Sequence, residues 1–359
     1  MIIMNQDRLR RVIDNMHRQG LEQILVTATA SVYYLTGVWV EPLERLLALY
    51  LDDTGRCVLF GNALFGLEEG DGLTVLTHTD SDDPVAQIAQ TVRPGKLGID
   101  KFWASRFLIG LMEQRRDITP VVGSAPVDDA RMLKDAQEIE AMVAASRIND
   151  QVMAIASAAV KDGATEEELA ALVERTFREK GADRSSEGQL VCFGPNGADP
   201  HHAPNGTVIT RGDTVVFDIF IPIHRYWCDM TRTFFFREAS DEGRRVYEAV
   251  KAANLAAEAL IRPGLPMRDF DRAARKVIED AGYGPYFTHR LGHGAGLDCH
   301  EPPDNSSANH TIAQPGMVFS VEPGIYLPGK LGVRIEDLVL VTEDGCRVLN
   351  AFSKELTIL

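Results

Sequence analysis

The chain has 359 residues, 45% hydrophobic and 25% charged, a composition that suits one large or two ordinary globular domains and excludes disordered, collagenous and coiled-coil proteins. Its 37 Lys and Arg residues stand against 52 Asp and Glu residues, and the formal net charge of −15 disfavours nucleic acid and anionic membranes as partners. No apolar run approaches the roughly 20 residues of a membrane-spanning helix, and five cysteines without paired spacing predict reduced thiols, so we expect a cytoplasmic protein.

The first third of the chain alternates helical and strand-like patterns. Leu9, Val12 and Met16 recur at helical spacing, and Gly20 is a typical helix stop. Further segments then alternate between strand-like and helical patterns: QILVT, LLALYL, CVLF, LTVLTH, PVAQIAQTV, KLGID and ASRFLIGLMEQ. This order predicts an α/β domain over residues 1–125, which ends in the Pro- and Asp-containing stretch ITPVVGSAPVDDA.

Residues 126–359 contain an internal repeat. The segment AVKDGATEEELAALVERTFREKGA aligns with LIRPGLPMRDFDRAARKVIEDAGY, so that Gly163 falls on Gly264 and Gly181 falls on Gly282. Each copy reads as a helix, a glycine turn and a second helix, and strand-rich sequence follows both copies. The repeat predicts a pseudo-symmetric α+β domain built from two similar halves.

Two aspartates interrupt the apolar segment DTVVFDIFIPIHRYWCDMTRTFFF. Asp218 and Asp229 are predicted to lie on neighbouring antiparallel strands, joined by a loop that contains Pro222. A buried carboxylate is costly unless it is paired or bound to a metal, so two of them predict a counter-charge. The alternative is a pair of ordinary solvent-facing strand residues.

Two glutamates occupy similar positions near the end of the chain. Glu322 ends the strand-like run of MVFSVEPGIYL, and Glu336 is predicted inside the strand GVRIEDLVLVT. Arg334 and Glu336 share a face because side chains alternate along a strand, whereas Asp337 points the other way. An Arg and a Glu side by side on a solvated sheet face is the plainer interpretation.

Most of the nine histidines lie between His201 and His310. In THRLGHGAGLDCHEPP, three glycines allow the backbone to approach closely around His293, and His289 and His300 are nearby. Four carboxylates and one imidazole suit two divalent ions, with Mn²⁺ preferred and Co²⁺, Zn²⁺ or Fe²⁺ also possible. Two ions about 3.5–4 Å apart can lower the pKa of a water molecule that bridges them. The ligand set therefore predicts a hydrolase.

At these residues the chain resembles the metal-dependent Xaa-Pro peptidases of the pita-bread fold, the family of prolidase and aminopeptidase P. The resemblance covers nearly the whole chain, from SVYYLTG near the start to VLNAFSKELTIL at the end. It implies an α/β creatinase-like N-terminal domain followed by an α+β pseudo-symmetric pita-bread catalytic domain. It also implies five metal ligands: Asp218, Asp229 in DMTRT, His293 in GHGAG, Glu322 in VEPG and Glu336 in VRIED.

The resemblance implies further roles for single residues. His201 in DPHHAPN would contact the substrate near the scissile bond, and His300 in DCHEPP would help to stabilise the tetrahedral intermediate. Glu322 would also carry a proton to the leaving nitrogen, and His289 would lie on the substrate side. Arg334 would support either the ligand network or the substrate carboxylate.

Two departures from the family pattern affect the substrate pocket. Phe220 stands where the family usually has Gly two residues after Asp218, and Cys228 replaces a common Ser. Phe220 either reshapes the pocket or fills core space, and strand alternation predicts that Cys228 packs away from the site. His202 and His224 receive no functional role.

The leading hypothesis is an Xaa-Pro dipeptidase whose partners are short proline-containing peptides. The alternatives are an Xaa-Pro aminopeptidase on longer peptides, or a metal-dependent lyase or non-peptide hydrolase on the same fold. A creatinase-like amidinohydrolase would lack the metal ligands, and a non-catalytic binding protein would lack His201 or His300, yet both histidines are present. The resemblance further implies a homodimer.

Overall fold

The computed structural model describes residues 2–185 and 188–359. The chain divides into two compact units, Met1–Arg131 and Met132–Leu359. The helix Ala125–Met132 ends the first unit, so the predicted boundary near residue 125 falls at the start of that helix.

The first unit is built on a mixed eight-stranded sheet with the order β1-β5-β6-β4-β3-β2-β7-β8. Its elements, in chain order, are β1 (Ile2–Ile3), α1 (Gln6–Gln19), β2 (Gln23–Val26), α2 (Thr29–Thr36), β3 (Leu47–Asp52), β4 (Cys57–Asn62), β5 (Gly70–Asp71), β6 (Leu73–His78), α3 (Ala86–Thr91), β7 (Gly95–Ile99), α4 (Ser105–Gln114), β8 (Ile118–Val122) and α5 (Ala125–Met132).

Helix α1 forms where the apolar spacing predicts it. The side chain of Asn5 caps the helix by accepting a hydrogen bond from the backbone N–H of Arg8, and Gly20 ends the helix with a φ of 65°. Val12 and Met16 are completely buried. Tyr50 and other buried side chains of the sheet form the core of this unit.

The second unit contains a three-stranded sheet in the order β11-β10-β9, a five-stranded sheet in the order β13-β12-β14-β17-β18 and the hairpin β15-β16. Its elements, in chain order, are α6 (Ala136–Ala158), α7 (Glu166–Glu179), β9 (Leu190–Phe193), β10 (Thr214–Ile223), β11 (Tyr226–Phe235), α8 (Asp241–Leu260), α9 (Met267–Asp280), β12 (Gly292–Gly294), β13 (Glu301–Asn305), β14 (Val318–Val321), β15 (Gly324–Leu327), β16 (Leu331–Arg334), β17 (Asp337–Val341) and β18 (Cys346–Val348).

The internal repeat is confirmed as two helix pairs, α6 with α7 and α8 with α9. Gly163 and Gly264 adopt left-handed φ values of 80° and 87° in the turns between the helices, and Gly181 and Gly282 do so at the ends, with φ values of 86° and 84°. Only glycine adopts this conformation without strain, which explains why all four positions match. The first pair packs on the three-stranded sheet and the second pair packs on the five-stranded sheet.

The predicted loop around Pro222 is wrong. Strand β10 runs through Pro222, and the turn to β11 consists of His224 and Arg225, whose φ values are 50° and 74°. Two residues with positive φ make the tight hairpin turn that fits twisted strands. Strand β9 pairs with β10 only as far as Asp218, so Pro222 lies on an edge where its missing N–H is tolerated.

The prediction that Glu336 lies inside one strand is also wrong. The run GVRIEDLVLVT divides into β16, which ends at Arg334, and β17, which starts at Asp337, and these strands belong to different sheets. An uninterrupted apolar pattern does not reveal such a break. Asp337 does point away from Glu336, because its Oδ1 accepts a hydrogen bond of 2.7 Å from the buried guanidinium of Arg232.

None of the helices within the described residues is long and apolar enough to cross a membrane. All five cysteines are thiols rather than disulfide partners.

Candidate metal centre

A cavity of about 650 Å³ lies in the second unit. It brings together every residue that the sequence analysis assigned to the site, namely His201, Asp218, Asp229, His289, His293, His300, Glu322, Arg334 and Glu336. Leu190, Pro200, Phe220, Thr288, Arg290 and Cys299 complete the lining.

Strands β10 and β11 hold the two aspartates on one face of their sheet. Asp218 lies opposite Thr231 in the antiparallel ladder, and Asp229 lies opposite Phe220. Side chains of directly opposed residues share a face, so all four point to the cavity side. The Oδ1 atoms of Asp218 and Asp229 are buried and accept no hydrogen bond within the described structure.

His293 is held in position by glycines that pack closely against the neighbouring backbone. An added Cβ at Gly292 would lie 2.1 Å from the carbonyl oxygen of Ser320, and one at Gly294 would lie 2.4 Å from that of Glu301. Only glycine therefore fits on either side of His293 in strand β12, as the sequence pattern predicted. The backbone N–H of His293 donates to the hydroxyl of Ser320 at 2.9 Å.

The imidazole of His293 is arranged as a neutral ligand. Its Nδ1 lies 3.1 Å from the carbonyl oxygen of Gly294, which can only accept, so the proton resides on Nδ1. Its Nε2 faces Asp229 Oδ2 at 3.7 Å and Glu322 Oε1 at 3.5 Å. Burial lowers the pKa of His293 to about 4, which keeps Nε2 unprotonated at neutral pH.

The carboxylates repel one another. Desolvation raises the pKa of Asp229 well above its ordinary value, and the neighbouring Asp218 and Glu322 raise it further. Desolvation also raises the pKa of Glu336, with repulsion from Asp229 and Glu322 as further causes. Buried like charges at this density need a positive charge to compensate them.

The donor set fits a divalent ion. Donor atoms of Asp229, His293 and Glu336 all lie within 4.8 Å of one another, and all three side chains are buried. Asp218 and Glu322 add carboxylates beside this group. The orphaned aspartate oxygens and the neutral imidazole nitrogen supply the oxygen-rich mixed ligands that Mn²⁺, Fe²⁺, Co²⁺ and Zn²⁺ accept.

Arg334 is buried in this site and donates hydrogen bonds to three of its residues. Its Nη2 donates to Asp218 Oδ2 at 2.6 Å, its Nε to the hydroxyl of Thr231 at 3.0 Å, and its Nη1 to the hydroxyl of Tyr326 at 3.0 Å. Thr231 also donates to Glu336 Oε2 at 2.7 Å. Of the two roles that the resemblance implied for Arg334, these contacts favour support of the ligand network.

Sequence reasoning missed Tyr326 and Thr231. The hydroxyl of Tyr326 lies 2.8 Å from His289 Nε2, so it links His289 to Arg334. Tyr326 sits in the apolar run GIYL, where an aromatic side chain reads as core, and Thr231 reads as an ordinary strand residue. The motif DMTRT could have identified Thr231, because a residue two positions after Asp229 on a strand points to the same face as Asp229.

His201 and His300 lie at the exposed rim of the cavity. The ring of His300 lies 3.9 Å from that of His293, measured between centroids. Partial burial and the nearby His293 lower the pKa of His300 to about 4, so it is a neutral imidazole at physiological pH. The backbone N–H of His201 donates to the carboxylate of Asp199 at 3.0 Å.

His202 does not reach the cavity. Its Nε2 lies 2.9 Å from Oε2 of Glu166, whose side chain is fully buried. Glu166 also accepts hydrogen bonds from the backbone N–H groups of Phe193 and Asn205, so it pins both ends of the loop that carries His201. His224 occupies the exposed hairpin turn, away from the cavity lining.

Phe220 lines the cavity and is partly exposed to it. It lies on the same face as Asp218, and its ring centroid is 6.4 Å from that of Trp227. Cys228 points to the opposite face, where it is completely buried in the core. Of the two expectations for Phe220, the structure favours a pocket wall over a core filler.

The chain matches known families over both units. Residues 8–133 match the creatinase/prolidase N-terminal domain, and residues 140–343 match metallopeptidase family M24. A protein of Staphylococcus aureus named as an uncharacterized peptidase is 35% identical over 354 residues, which are 97% of this chain and 99% of that relative.

Solved structures resemble the whole chain. A prolidase from Thermococcus sibiricus has a TM-score of 0.93 at 35% identity, covering 99% of this chain and 100% of the other. A Bacillus anthracis Xaa-Pro dipeptidase has a TM-score of 0.89 at 29% identity, covering 98% of this chain and 99% of the other. A Thermotoga maritima X-Pro aminopeptidase has a TM-score of 0.82 at 28% identity, covering 96% of this chain and 100% of the other. These matches confirm the predicted creatinase-like and pita-bread domains.

Proposed function

The chain belongs to metallopeptidase family M24, and on that premise we propose that it hydrolyses the Xaa-Pro bond of dipeptides and short peptides with two divalent metal ions. The observation that carries the proposal is the single cavity in which four carboxylates and a neutral imidazole converge. The names of the similar prolidase and Xaa-Pro dipeptidase support the substrate class.

Asp218, Asp229, His293, Glu322 and Glu336 would hold the ions. Four carboxylates carry more negative charge than one divalent cation balances, and Asp218 and Glu322 extend beyond the compact three-residue group, which favours two ions. The excess of oxygen donors favours Mn²⁺. When bound, such ions supply Lewis acidity toward the substrate carbonyl and a water of lowered pKa.

The protein side chains complete the chemistry. His300, a neutral imidazole at the rim beside His293, would donate a hydrogen bond to the oxyanion that develops on the scissile carbonyl. Glu322 lines the same cavity as His300 and would transfer a proton to the leaving nitrogen. Without such a proton donor the proline nitrogen would have to leave as a strongly basic amide anion.

The cavity supports short substrates. Its volume of about 650 Å³ lies within the usual range of small-molecule sites. Leu190, Pro200 and Phe220 form an apolar wall that suits a proline ring or an aliphatic side chain. An Xaa-Pro aminopeptidase is the second candidate, and the similarity to the Thermotoga maritima enzyme supports it.

A panel of peptides tests the proposed substrate. The Mn²⁺-loaded protein is incubated with Ala-Pro, Ala-Ala and Ala-Pro-Gly, and the products are separated by chromatography. Cleavage of Ala-Pro without cleavage of Ala-Ala is the expected result. Cleavage of Ala-Pro-Gly alone would transfer the assignment to the aminopeptidase, and no cleavage of any peptide by the metal-loaded protein would favour a lyase or a non-peptide hydrolase.

Replacing Phe220 with Ala should broaden the accepted residues. Removal of the ring enlarges the cavity beside Asp229, so kcat/KM for Phe-Pro relative to Ala-Pro should rise about tenfold. Ile221→Ala is the matched control, since Ile221 lies in the core on the opposite face of the same strand. An unchanged preference together with lost thermal stability would show that Phe220 only packs.

We further propose a homodimer and a cytoplasmic location. The dimer follows from the family resemblance, and thiol cysteines suit a reducing compartment. Light scattering of the purified protein measures the oligomeric state, and fractionation of cells measures the location.

A further inference from the structure

The loop that carries His300 is largely buried. It joins strands β12 and β13 and runs from Gly294 to Glu301, which are paired with each other in the antiparallel ladder. Leu297 and Cys299 in this loop are buried, whereas His300 is exposed at the rim of the cavity. An exposed side chain at the end of a buried loop takes its direction from the backbone that carries it, so the contacts that hold the end of the loop also orient His300.

A buried ion pair closes this loop. Nζ of Lys134 donates to Oε1 of Glu301 at 2.8 Å, and the two side chains are only 1% and 4% exposed. Oε2 of Glu301 accepts a hydrogen bond of 3.3 Å from the backbone N–H of Asp298. An added Cβ at Gly296 would lie 2.4 Å from Oε1 of Glu301, so the carboxylate fills the space that this glycine leaves open. Glu301 therefore ties the loop both to itself and to Lys134.

Lys134 is itself held in the second unit. It lies two residues before Ala136, where helix α6 begins. Its backbone N–H donates to the carbonyl oxygen of Gly316 at 2.9 Å. Because both its backbone and its ammonium group are bound, Lys134 provides a fixed anchor for Glu301.

We propose that Lys134 and Glu301 are positioning residues that hold His300 toward the scissile bond. This inference rests on the proposed Xaa-Pro peptidase function and on the role of His300 in it. Successive side chains of an extended segment point to opposite sides, and β13 begins at Glu301, so the buried Glu301 turns the preceding His300 toward the cavity. A displacement of about 1 Å in a catalytic group can cost on the order of 10²-fold in rate. Loss of the ion pair should therefore lower kcat.

Lys134→Met tests this role with Ala-Pro and the Mn²⁺-loaded protein. We expect kcat to fall about 10- to 100-fold while KM and the Mn²⁺ affinity change little, because Lys134 is not among the residues that line the cavity. The same substitution in a His300→Ala protein should cause no further fall, since effects that act through one residue are not additive. Lys251→Met is the matched control and should keep the wild-type kcat, because Lys251 forms ion pairs with Glu248 and Glu355 outside the cavity lining.

The double variant Lys134→Met/Glu301→Gln keeps the test valid if the single variant unfolds. Removal of one partner leaves an uncompensated buried charge, which destabilises the protein, whereas the double variant has no such charge. Its melting temperature should therefore exceed that of Lys134→Met. Its kcat should be as low as that of the single variant, because the contact between the two side chains is still absent.

Three outcomes would overturn the inference. They are a wild-type kcat in the double variant, an equal fall in kcat on Lys134→Met with and without His300, and a wild-type kcat in His300→Ala, which would leave no catalytic group to position. Each of these leaves the proposed function standing. Failure of the wild-type enzyme to cleave any Xaa-Pro peptide would instead sink the proposed function.

Discussion

Replacement of Asp229 with Asn is expected to abolish metal-dependent hydrolysis and, at the same time, to stabilise the metal-free protein. The loss of one ligand from the group formed with His293 and Glu336 should lower kcat/KM on the order of 10³-fold. The gain in stability follows because the carboxylate of Asp229 is buried beside Asp218 and Glu322, whose charges repel it.

The pH dependence of stability has a definite sign. The pKa of Asp229 is raised in the folded protein, so its contribution to stability is fully present below its unfolded pKa of about 4 and is lost as the pH rises through the folded pKa. The melting temperature of the metal-free wild type should therefore fall between acidic and neutral pH. Asp229→Asn should flatten that fall, and added Mn²⁺ should raise the melting temperature of the wild type alone.

Asp280→Asn is the control for this prediction, because Asp280 forms an exposed ion pair with Lys276 on helix α9. Differential scanning calorimetry with and without Mn²⁺ measures the stability, and proline release measures the activity. An Asp229→Asn protein that retains both the Mn²⁺-induced shift and the activity would contradict the assigned metal site.

Replacement of His300 with Ala should lower kcat by about 10²- to 10³-fold while metal binding is retained. The reason is the position of the ring at the cavity rim, 3.9 Å from that of His293, where it can reach a developing oxyanion without being one of the proposed ligands. KM for Ala-Pro should change much less than kcat, since a contact made mainly in the transition state acts on the rate.

His310→Ala is the control for His300, because His310 is exposed in the same unit and lies outside the cavity lining. Steady-state kinetics and a Mn²⁺ titration of each variant give the comparison. Equal kcat values for His300→Ala and the wild type would remove His300 from the mechanism, and loss of Mn²⁺ binding would make it a ligand instead.

The sequence predicted the positions of the charged residues well because burial of charge is costly. Asp218 and Asp229 interrupt apolar strands, and their burial in the structure excludes the alternative of solvent-facing residues. The paired glycines of the repeat were equally informative, since Gly163 and Gly264 adopt a conformation that other residues avoid. Both signals depend on strong local preferences that a single sequence displays.

Residues whose roles depend on tertiary contacts were less accessible. Tyr326 belongs to an apolar strand, and its link between His289 and Arg334 appears only when β15 and the loop before β12 lie side by side. The hairpin turn at His224 was misplaced to Pro222 because proline is a common turn residue, whereas here it occupies a strand edge.

The pseudo-symmetric halves explain how one cavity acquires its ligands. The sheet of the first half contributes Asp218 and Asp229, and the second half contributes His293 from β12, Glu322 directly after β14 and Glu336 between β16 and β17. Each side chain is positioned by a rigid element or by the residue beside it, and rigid elements position catalytic groups better than long loops do. The proposed metal centre therefore depends on both halves.

The measurement that tests the central claim most directly is proline release from Ala-Pro by metal-stripped protein during titration with Mn²⁺. We expect no release without metal, and activity that rises to a plateau at about two ions per chain. Undiminished release after complete metal removal, or saturation with Mn²⁺ without any release, would contradict a metal-dependent Xaa-Pro peptidase.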